Sequence, residues 1–277
     1  MDRIDAHQHF WQYNAERDTW ITDEMAAIQR DFLPADLVSV FEENNVKACV
    51  AVQADQSEEE TDFLLKLAEE TSFIQGVVGW VDLMDPAVGQ KLARFNNKSK
   101  LKGVRHIVQA ETDPNFLLNP SFVNGIGVLS KLDLSYDILI KPHQLDATVK
   151  FVSRFGDKQR FVIDHLAKPF IAKQEREPWA AQMERLAKHE NVYCKLSGMV
   201  TEASWHNWTV ADFTFYIDHL LETFGPRRLM FGSDWPVCLV AAQYNEVVAI
   251  VDEHIRHLSI DEQALIWSKN ATRFYKL

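Results

Sequence analysis

The chain has 277 residues, of which 47% are hydrophobic, so it can bury a large core and is longer than a typical β-sandwich. Its formal net charge of −11 at pH 7 disfavours nucleic acid as a partner, because the overall field repels a polyanion. The N-terminus carries charges where a signal peptide needs an apolar run, and no apolar stretch approaches the roughly 18 residues of a membrane span. These features predict a cytoplasmic protein with no membrane partner.

The three cysteines are far apart and have no CxxC spacing. Cys49, Cys194 and Cys238 each lie in or beside an apolar stretch. This pattern is typical of reduced thiols, and it disfavours both a disulfide framework and a zinc knuckle.

Short apolar runs alternate with longer amphipathic segments along the chain. Strands are predicted at residues 4–9, 48–53, 76–81, 102–107, 136–140, 161–165, 192–196 and 229–232. Helices are predicted over 33–45, 58–71 and 261–275, among others. This alternation predicts a parallel sheet of the α/β class, and eight units of this length favour a single (β/α)8 TIM barrel spanning 1–277. Periodicity alone leaves a doubly wound sheet as the alternative.

Polar side chains stand at the ends of most predicted strands, where the ligands of such a barrel collect. The segment 11–30 is long for the connection between a strand and a helix, and long loops at this edge usually cover a site. The candidate site residues at the strand ends are His7, His9, Arg105, Lys141, His165, Lys195 and Asp234.

His7 and His9 are two residues apart on the first predicted strand, so their side chains point to the same face, towards the barrel interior. Two such imidazoles can hold one divalent cation or donate hydrogen bonds to one substrate oxygen. The alternative is that both are satisfied by neighbouring backbone groups.

Asp234 ends the last apolar run abruptly, in the sequence Gly232-Ser233-Asp234-Trp235-Pro236. One interpretation is that it caps the following helix. The first and last strands are neighbours in a closed barrel, however, so Asp234 is expected to reach the histidines of the first strand. There the carboxylate can accept a proton from water as the water attacks a carbonyl.

Four stretches together resemble the amidohydrolase superfamily, in the order expected for it. More narrowly, the chain resembles the branch of sugar-lactone and pyrone-dicarboxylate lactonases, which includes L-fuconolactonases and L-rhamnonolactonases. The resemblance runs essentially from end to end. It rests on Met1-Asp2-Arg3-Ile4-Asp5-Ala6-His7-Gln8-His9-Phe10-Trp11, Val162-Ile163-Asp164-His165-Leu166-Ala167-Lys168-Pro169, Cys194-Lys195-Leu196-Ser197-Gly198 and Gly232-Ser233-Asp234-Trp235-Pro236.

The resemblance implies roles for matching residues. His7 and His9 match the histidine pair of the first strand, His165 matches the histidine of an Asp-His motif, and Asp234 matches the general base that acts on the hydrolytic water. Many superfamily members bind one or two divalent metals there, whereas the lactonase branch includes enzymes that work without metal. We therefore expect either no required cofactor or one divalent ion such as zinc, held by His7, His9 and Asp234.

A two-metal centre is not expected. In the superfamily it needs a bridging carboxylated lysine and a further histidine on a later strand. Lys141 is a candidate for the bridge, but the seventh strand presents Lys195 where another nitrogen ligand is needed.

The remaining candidates are expected to bind substrate. Arg105 can bind an oxygen or carboxylate in a fork, or form a salt bridge between strand ends. Lys141 and Lys195 can donate to a lactone or hydroxyl oxygen, or neutralise acidic neighbours. Trp11 can form an apolar wall for a sugar ring, or belong to the core.

These parts predict hydrolysis of a lactone. Asp234 deprotonates water, while His7, His9 and His165 stabilise the oxyanion, directly or through one metal ion. The absence of a GxSxG motif argues against a serine hydrolase of the α/β-hydrolase type. The acidic charge and numerous tryptophans favour a neutral aldonolactone such as L-fucono- or L-rhamnono-lactone, because a dicarboxylate needs several paired cations.

Three alternatives remain at this point. The first is a pyrone-dicarboxylate lactonase, the second a metal-dependent decarboxylase of the same superfamily, and the third a non-catalytic sugar-binding barrel. The sequence also leaves open assembly into a homo-oligomer.

Overall fold

The computed structural model describes residues 1–95 and 98–277. In this part of the chain, eight strands form one sheet in the order β1 to β8, and every neighbouring pair in that order is parallel. The strands are β1 (Arg3–Gln8), β2 (Val46–Val52), β3 (Ile74–Gly79), β4 (Leu101–His106), β5 (Ser135–Ile138), β6 (Phe161–Ile163), β7 (Val192–Leu196) and β8 (Leu229–Phe231).

The sheet is closed into a barrel by the residues that follow β8. Gln8 at the end of β1 forms a parallel bridge with Trp235. The backbone N–H of Asp234 donates to the carbonyl of His7 at 2.8 Å, and the N–H of His9 donates to the carbonyl of Trp235 at 2.7 Å. The prediction of a (β/α)8 barrel is therefore confirmed, and the doubly wound alternative is wrong.

Helices surround the sheet and connect its strands. They are α1 (Pro34–Glu43), α2 (Glu58–Glu70), α3 (Val88–Ala93), α4 (Pro120–Lys131), α5 (Leu145–Val152), α6 (Trp179–Ala187), α7 (Met199–Glu202), α8 (Ala211–Thr223), α9 (Tyr244–Ile255), α10 (Ile260–Ala264) and α11 (Asn270–Tyr275). Local capping explains two of the boundaries. The Asp36 carboxylate accepts from the N–H of Leu33 ahead of α1, and the Ser57 hydroxyl accepts from the N–H of Glu60 in α2.

Most predicted strand and helix bounds lie within two residues of those in the structure, and two differences have a clear structural cause. The sixth strand ends at Ile163 instead of residue 165, because the chain turns into a left-handed conformation at His165. The predicted closing helix over 261–275 is divided into α10 and α11 by a π-helical turn at Leu265–Lys269.

The apolar residues form two clusters. The larger one fills the space between the strands and the surrounding helices. The smaller one lies inside the barrel, where Val50, Val78 and Met230 pack with Phe274 and Tyr275 of α11. The last helix thus closes the end of the barrel opposite the carboxyl ends of the strands. Within the described residues, the structure has no helix whose length and apolar character would suit a membrane span.

Two glycines of α4 provide a matched test of how this helix packs against the chain around Leu83. A Cβ added at Gly125 would lie 2.0 Å from the carbonyl oxygen of Leu83, whereas a Cβ at Gly127 would have no heavy atom within 4 Å. We predict that Gly127→Ala raises the free energy of unfolding by about 0.5–1 kcal/mol, because alanine favours a helix over glycine. Gly125→Ala should lower it by about 1–3 kcal/mol through overpacking. Urea titrations of both variants check this, and equal effects would contradict the packing described here.

Candidate active site

A cavity of about 450 Å³ opens at the carboxyl edge of the barrel. Its polar floor contains four of the predicted site residues, namely His9, Arg105, His165 and Asp234. The other lining residues are Trp20, Met25, Ala54, Gln56, Ile107, Gln109, Ala110, Leu139, Lys168, Thr201, Glu202, Trp205 and Val237. Trp20 and Met25 belong to the long loop after β1, so this loop covers the site as predicted.

Asp234 lies at the centre of three imidazoles. Its Oδ1 atom is 3.2 Å from Nε2 of His9, 3.8 Å from Nε2 of His7 and 3.8 Å from Nε2 of His165. The carboxylate is 3% exposed, so these contacts form in a site largely removed from bulk water. The alternative in which the histidines only satisfy neighbouring backbone groups does not account for this convergence.

The ring nitrogens of His9 and His7 have further partners. Nδ1 of His9 is 2.7 Å from the carbonyl oxygen of Val52, and since a carbonyl only accepts, Nδ1 carries the proton. In its neutral form, the His9 ring therefore carries its lone pair on Nε2, the nitrogen that faces Asp234. Nε2 of His7 lies 3.2 Å from Nη1 of Arg105, and its Nδ1 lies 3.0 Å from Nζ of Lys195 and 3.3 Å from Oδ1 of Asp164.

A left-handed turn directs His165 into the cavity. The four residues from His165 to Lys168 all have φ between 53° and 58°, a conformation that costs non-glycine residues of the order of 1 kcal/mol each. Nδ1 of His165 is 2.9 Å from the hydroxyl of Ser197. Gly198 leaves room for the ring, because a Cβ at this position would lie 2.4 Å from Nδ1 of His165.

A fully buried lysine lies beneath the cavity. Nζ of Lys195 is 2.6 Å from Oδ2 of Asp137 and 2.9 Å from Oδ1 of Asp164. Asp164 in turn lies 3.3 Å from Nδ1 of His7. The hydroxyl of Tyr275 donates to Oδ2 of Asp137 at 2.6 Å, so α11 contributes to the same network. Nζ of Lys195 also lies 3.0 Å from Nδ1 of His7, so this lysine, with 0% exposure, is placed to position His7 both directly and through Asp164, and it does not line the cavity.

The pKa values of these groups follow from burial and neighbouring charge. Burial opposes ionisation of Asp164 and Asp234, but the cationic and imidazole groups around them reverse this effect and lower both pKa values. Burial also lowers the pKa of His165 to about 4. Asp234 is therefore an anion and His165 a neutral imidazole at neutral pH.

Four of the predicted residues do not line the cavity: His7 and Lys195 are fully buried beneath it, and Lys141 and Trp11 lie away from the site. Lys141 is exposed, because the chain leaves the barrel after β5 and enters the short helix Pro142–Gln144. Trp11 is 2% exposed and packs against Trp20 and Phe32, so it supports the loop from behind. The tryptophans that do line the cavity are Trp20 and Trp205.

Sequence reasoning did not assign a role to several residues of the site. Asp164 and Lys168 lie in the Asp-His motif, for which the sequence predicts a role of His165 only. Their positions next to this histidine in the sequence are a signal that could identify them. Asp137 alternates with apolar residues on β5 and points inwards, which strand periodicity indicates once the barrel is known. Glu202 ends the four-residue helix α7, which is too short to give a periodic pattern.

The donor groups of the site are arranged in a way that suits a cation. Two sets bring their nitrogen and oxygen atoms within 4.8 Å of one another, and both contain His7. The first set adds His9 and Asp234, and the second adds Asp164 and His165. Imidazole nitrogens with a carboxylate are typical ligands of zinc.

A parallel barrel with histidines and an aspartate at the carboxyl ends of its strands defines the class of barrel hydrolases. The amidohydrolase family matches residues 4–277, and the chain belongs to this family. The superfamily predicted from the sequence is confirmed.

Three known proteins are similar to the chain over its whole length. It is 40% identical to an L-fucono-1,5-lactonase of Burkholderia multivorans, an alignment that covers 99% of this chain and 96% of that protein. It is 37% identical to an L-fucono-1,5-lactonase of Burkholderia ambifaria, with the same coverage. A crystal structure of an amidohydrolase from Burkholderia multivorans with bound zinc covers 100% of both chains at 39% identity, with a TM-score of 0.95.

The buried network predicts a large effect of removing the lysine. Lys195→Met should lower the free energy of unfolding by about 3–5 kcal/mol, because it leaves Asp137 as a buried carboxylate without a cation and Asp164 with Arg105 alone. Lys173→Met, at a lysine that is 67% exposed, should change it by less than about 0.5 kcal/mol. Urea unfolding measures both. Unchanged stability of Lys195→Met would contradict this account of the buried network.

Proposed function

We propose that the chain is a lactonase that opens an aldonolactone, such as an L-fucono- or L-rhamnono-lactone, with an activated water. The observation that carries this proposal is the ionised Asp234 carboxylate held among three imidazoles at the floor of a cavity. The two Burkholderia relatives, both L-fucono-1,5-lactonases, support it independently.

Asp234 is the general base. Its contacts with His7, His9 and His165 all use Oδ1, so Oδ2 can accept a proton from a water in the cavity. The resulting hydroxide adds to the lactone carbonyl and forms a new carbon–oxygen bond. Arg105 lines the cavity and can supply positive charge and hydrogen bonds as the carbonyl oxygen becomes an anion. The neutral His165 can donate from Nε2 when its Nδ1 accepts from the hydroxyl of Ser197.

The ring opens when the bond between the carbonyl carbon and the ring oxygen breaks. The proton that Asp234 took from water returns to the ring oxygen as it leaves. The product is an open-chain hydroxy acid, and Asp234 is again ionised. No covalent intermediate with the protein is required.

The ligand atoms around Asp234 fit one divalent ion. His7, His9 and Asp234 would hold it, since each offers one nitrogen or oxygen atom within 4.8 Å of the others and Nε2 of His9 carries a lone pair in the neutral ring. When bound, such an ion polarises the carbonyl and lowers the pKa of water. We propose a single ion such as zinc, and a centre without metal is the alternative.

The charge of the cavity supports a neutral substrate. Arg105 and Lys168 are its cationic lining residues among those described, and they face Glu202 and Asp234 in the same cavity. Since each carboxylate of a buried dicarboxylate needs a paired cation, this balance disfavours a pyrone dicarboxylate. The two L-fucono-1,5-lactonase relatives, aligned over 99% of this chain, favour a lactonase over the decarboxylase and the non-catalytic barrel.

Several sequence predictions remain proposals. We propose that the chain forms a single domain over 1–277, and that its small-molecule partner is a sugar lactone, with no nucleic acid or membrane partner. A cytoplasmic location and assembly into a homo-oligomer also stay predictions.

Replacement of the general base should abolish turnover. We expect Asp234→Asn to lower kcat on an aldonolactone by about 10²–10⁴-fold, because the amide cannot take the proton from water. Lactone binding, measured by calorimetry, should persist. The matched control is Asp261→Asn, at a side chain that is 95% exposed, and it should keep full activity. An unchanged rate in Asp234→Asn would exclude the general-base role.

Metal binding can be measured without turnover. Zinc added to chelator-treated protein should raise the midpoint of thermal unfolding, because a ligand that binds only the folded state stabilises it. His9→Gln should remove this shift, and His143→Gln, at an exposed histidine, should retain it. Lactone turnover before and after chelation completes the test. Full activity of protein shown to be metal-free by elemental analysis would favour the alternative.

A further inference from the structure

Two charged side chains that the proposed mechanism does not use line the same cavity. Nζ of Lys168 donates to Oε1 of Glu202 at 2.9 Å, and the two side chains are 18% and 23% exposed. A single, partly exposed ion pair contributes little to the stability of a protein. Because the pair lines the cavity, we consider its role in binding the ligand.

Both members of the pair are held close to the reaction centre by short, constrained segments. Lys168 is the last residue of the left-handed turn that begins at His165. Glu202 is the last residue of α7, which starts directly after Gly198, the glycine that packs against the His165 ring. The pair is thus tied to His165 from both sides. The backbone segments that carry the pair are therefore the ones that place the His165 ring.

An aromatic side chain lies next to the pair. Nε1 of Trp205 donates to the carbonyl of Thr201 at 2.9 Å, which fixes the indole beside the end of α7. Trp205 lines the cavity together with Glu202. An indole face next to polar groups suits a sugar ring, which has an apolar face and a polar rim.

The chemistry of the pair suits two neighbouring hydroxyl groups. An ammonium group only donates and a carboxylate only accepts, whereas a hydroxyl does both. One hydroxyl of a vicinal diol can accept from Lys168 while the next donates to Glu202. A carboxylate on the ligand would meet the negative charge of Glu202, and Lys168 is already neutralised by it.

We propose that Lys168 and Glu202 determine specificity by binding a vicinal diol of a neutral sugar lactone, and that Glu202 excludes lactones bearing a carboxylate. This inference rests on the proposed function, which it extends from a reaction to a class of substrate.

The test compares kcat and KM for two lactones with the same ring. One is a neutral aldonolactone with a vicinal diol, and the other is an aldarolactone, which carries an additional carboxylate. Glu202→Gln should lower kcat/KM for the neutral lactone about ten- to a hundred-fold, mainly through KM, because hydrogen bonds to charged groups are lost in ground and transition states alike. It should also raise the ratio of aldarolactone to aldonolactone activity. Lys168→Met should lower kcat/KM for the neutral lactone by a similar factor.

The matched control is Glu175→Gln. Glu175 pairs with Lys173 at 3.9 Å, is 49% exposed, and lies outside the cavity lining. Its kinetic constants should equal those of the unmodified protein. If Glu202 has only a structural role, Glu202→Gln should lower the unfolding midpoint and should reduce kcat by the same factor for both lactones. That result would overturn the inference.

The unmodified protein supplies a second test that needs no folded variant. Lactones that lack one hydroxyl of the diol should show the same ten- to hundred-fold rise in KM, and an unchanged KM would overturn the inference. If the unmodified protein neither opens nor binds any aldonolactone, the proposed function fails and the inference with it. If it opens the aldonolactone but Glu202→Gln behaves as the control does, only the inference fails.

Discussion

Hydrogen bonds between the first strand and the residues after the last strand hold the reaction centre together. The N–H of Asp234 donates to the carbonyl of His7. Two residues earlier on the first strand, the Asp5 carboxylate accepts from both the N–H and the hydroxyl of Ser233. Tyr244 donates to the same carboxylate from α9. Because these bonds fix backbone atoms on both sides, closure of the barrel itself sets the distance between the imidazoles and the Asp234 carboxylate. The cluster does not depend on a mobile loop for its geometry.

The buried charges below the cavity serve this cluster from the other side. Lys195 and Arg105 each contact Asp164, and Asp164 lies against His7. A charged partner at the outer nitrogen of an imidazole orients the ring, so Asp164 and Lys195 together set the direction in which His7 faces Asp234. Removing ions from water is costly, and the short ion pair between Lys195 and Asp137 offsets part of that cost. Positioning in this centre is therefore electrostatic as well as steric.

Much of the fold and the centre of the site could be predicted from the sequence, because strand periodicity and the carboxyl-edge rule place His7, His9 and Asp234 together. Other features depend on information that periodicity does not carry. The left-handed turn at His165 has no glycine to reveal it. Lys141 follows a strand as His9 does, but the chain has already left the barrel there. Which buried charges meet across a barrel depends on the packing of strands far apart in sequence.

The joining of the first strand to the last also has a consequence for how the protein is made. His9 and Asp234 are separated by 225 positions in the sequence, and Tyr275 adds its hydrogen bond later still. Chains are synthesised from the N-terminus, so the paired histidines leave the ribosome long before their carboxylate partner exists. Contacts of such long separation also form slowly, because the entropy of closing a large loop is lost first. The cluster of histidines around Asp234 is therefore among the last parts of the molecule to be completed during biosynthesis.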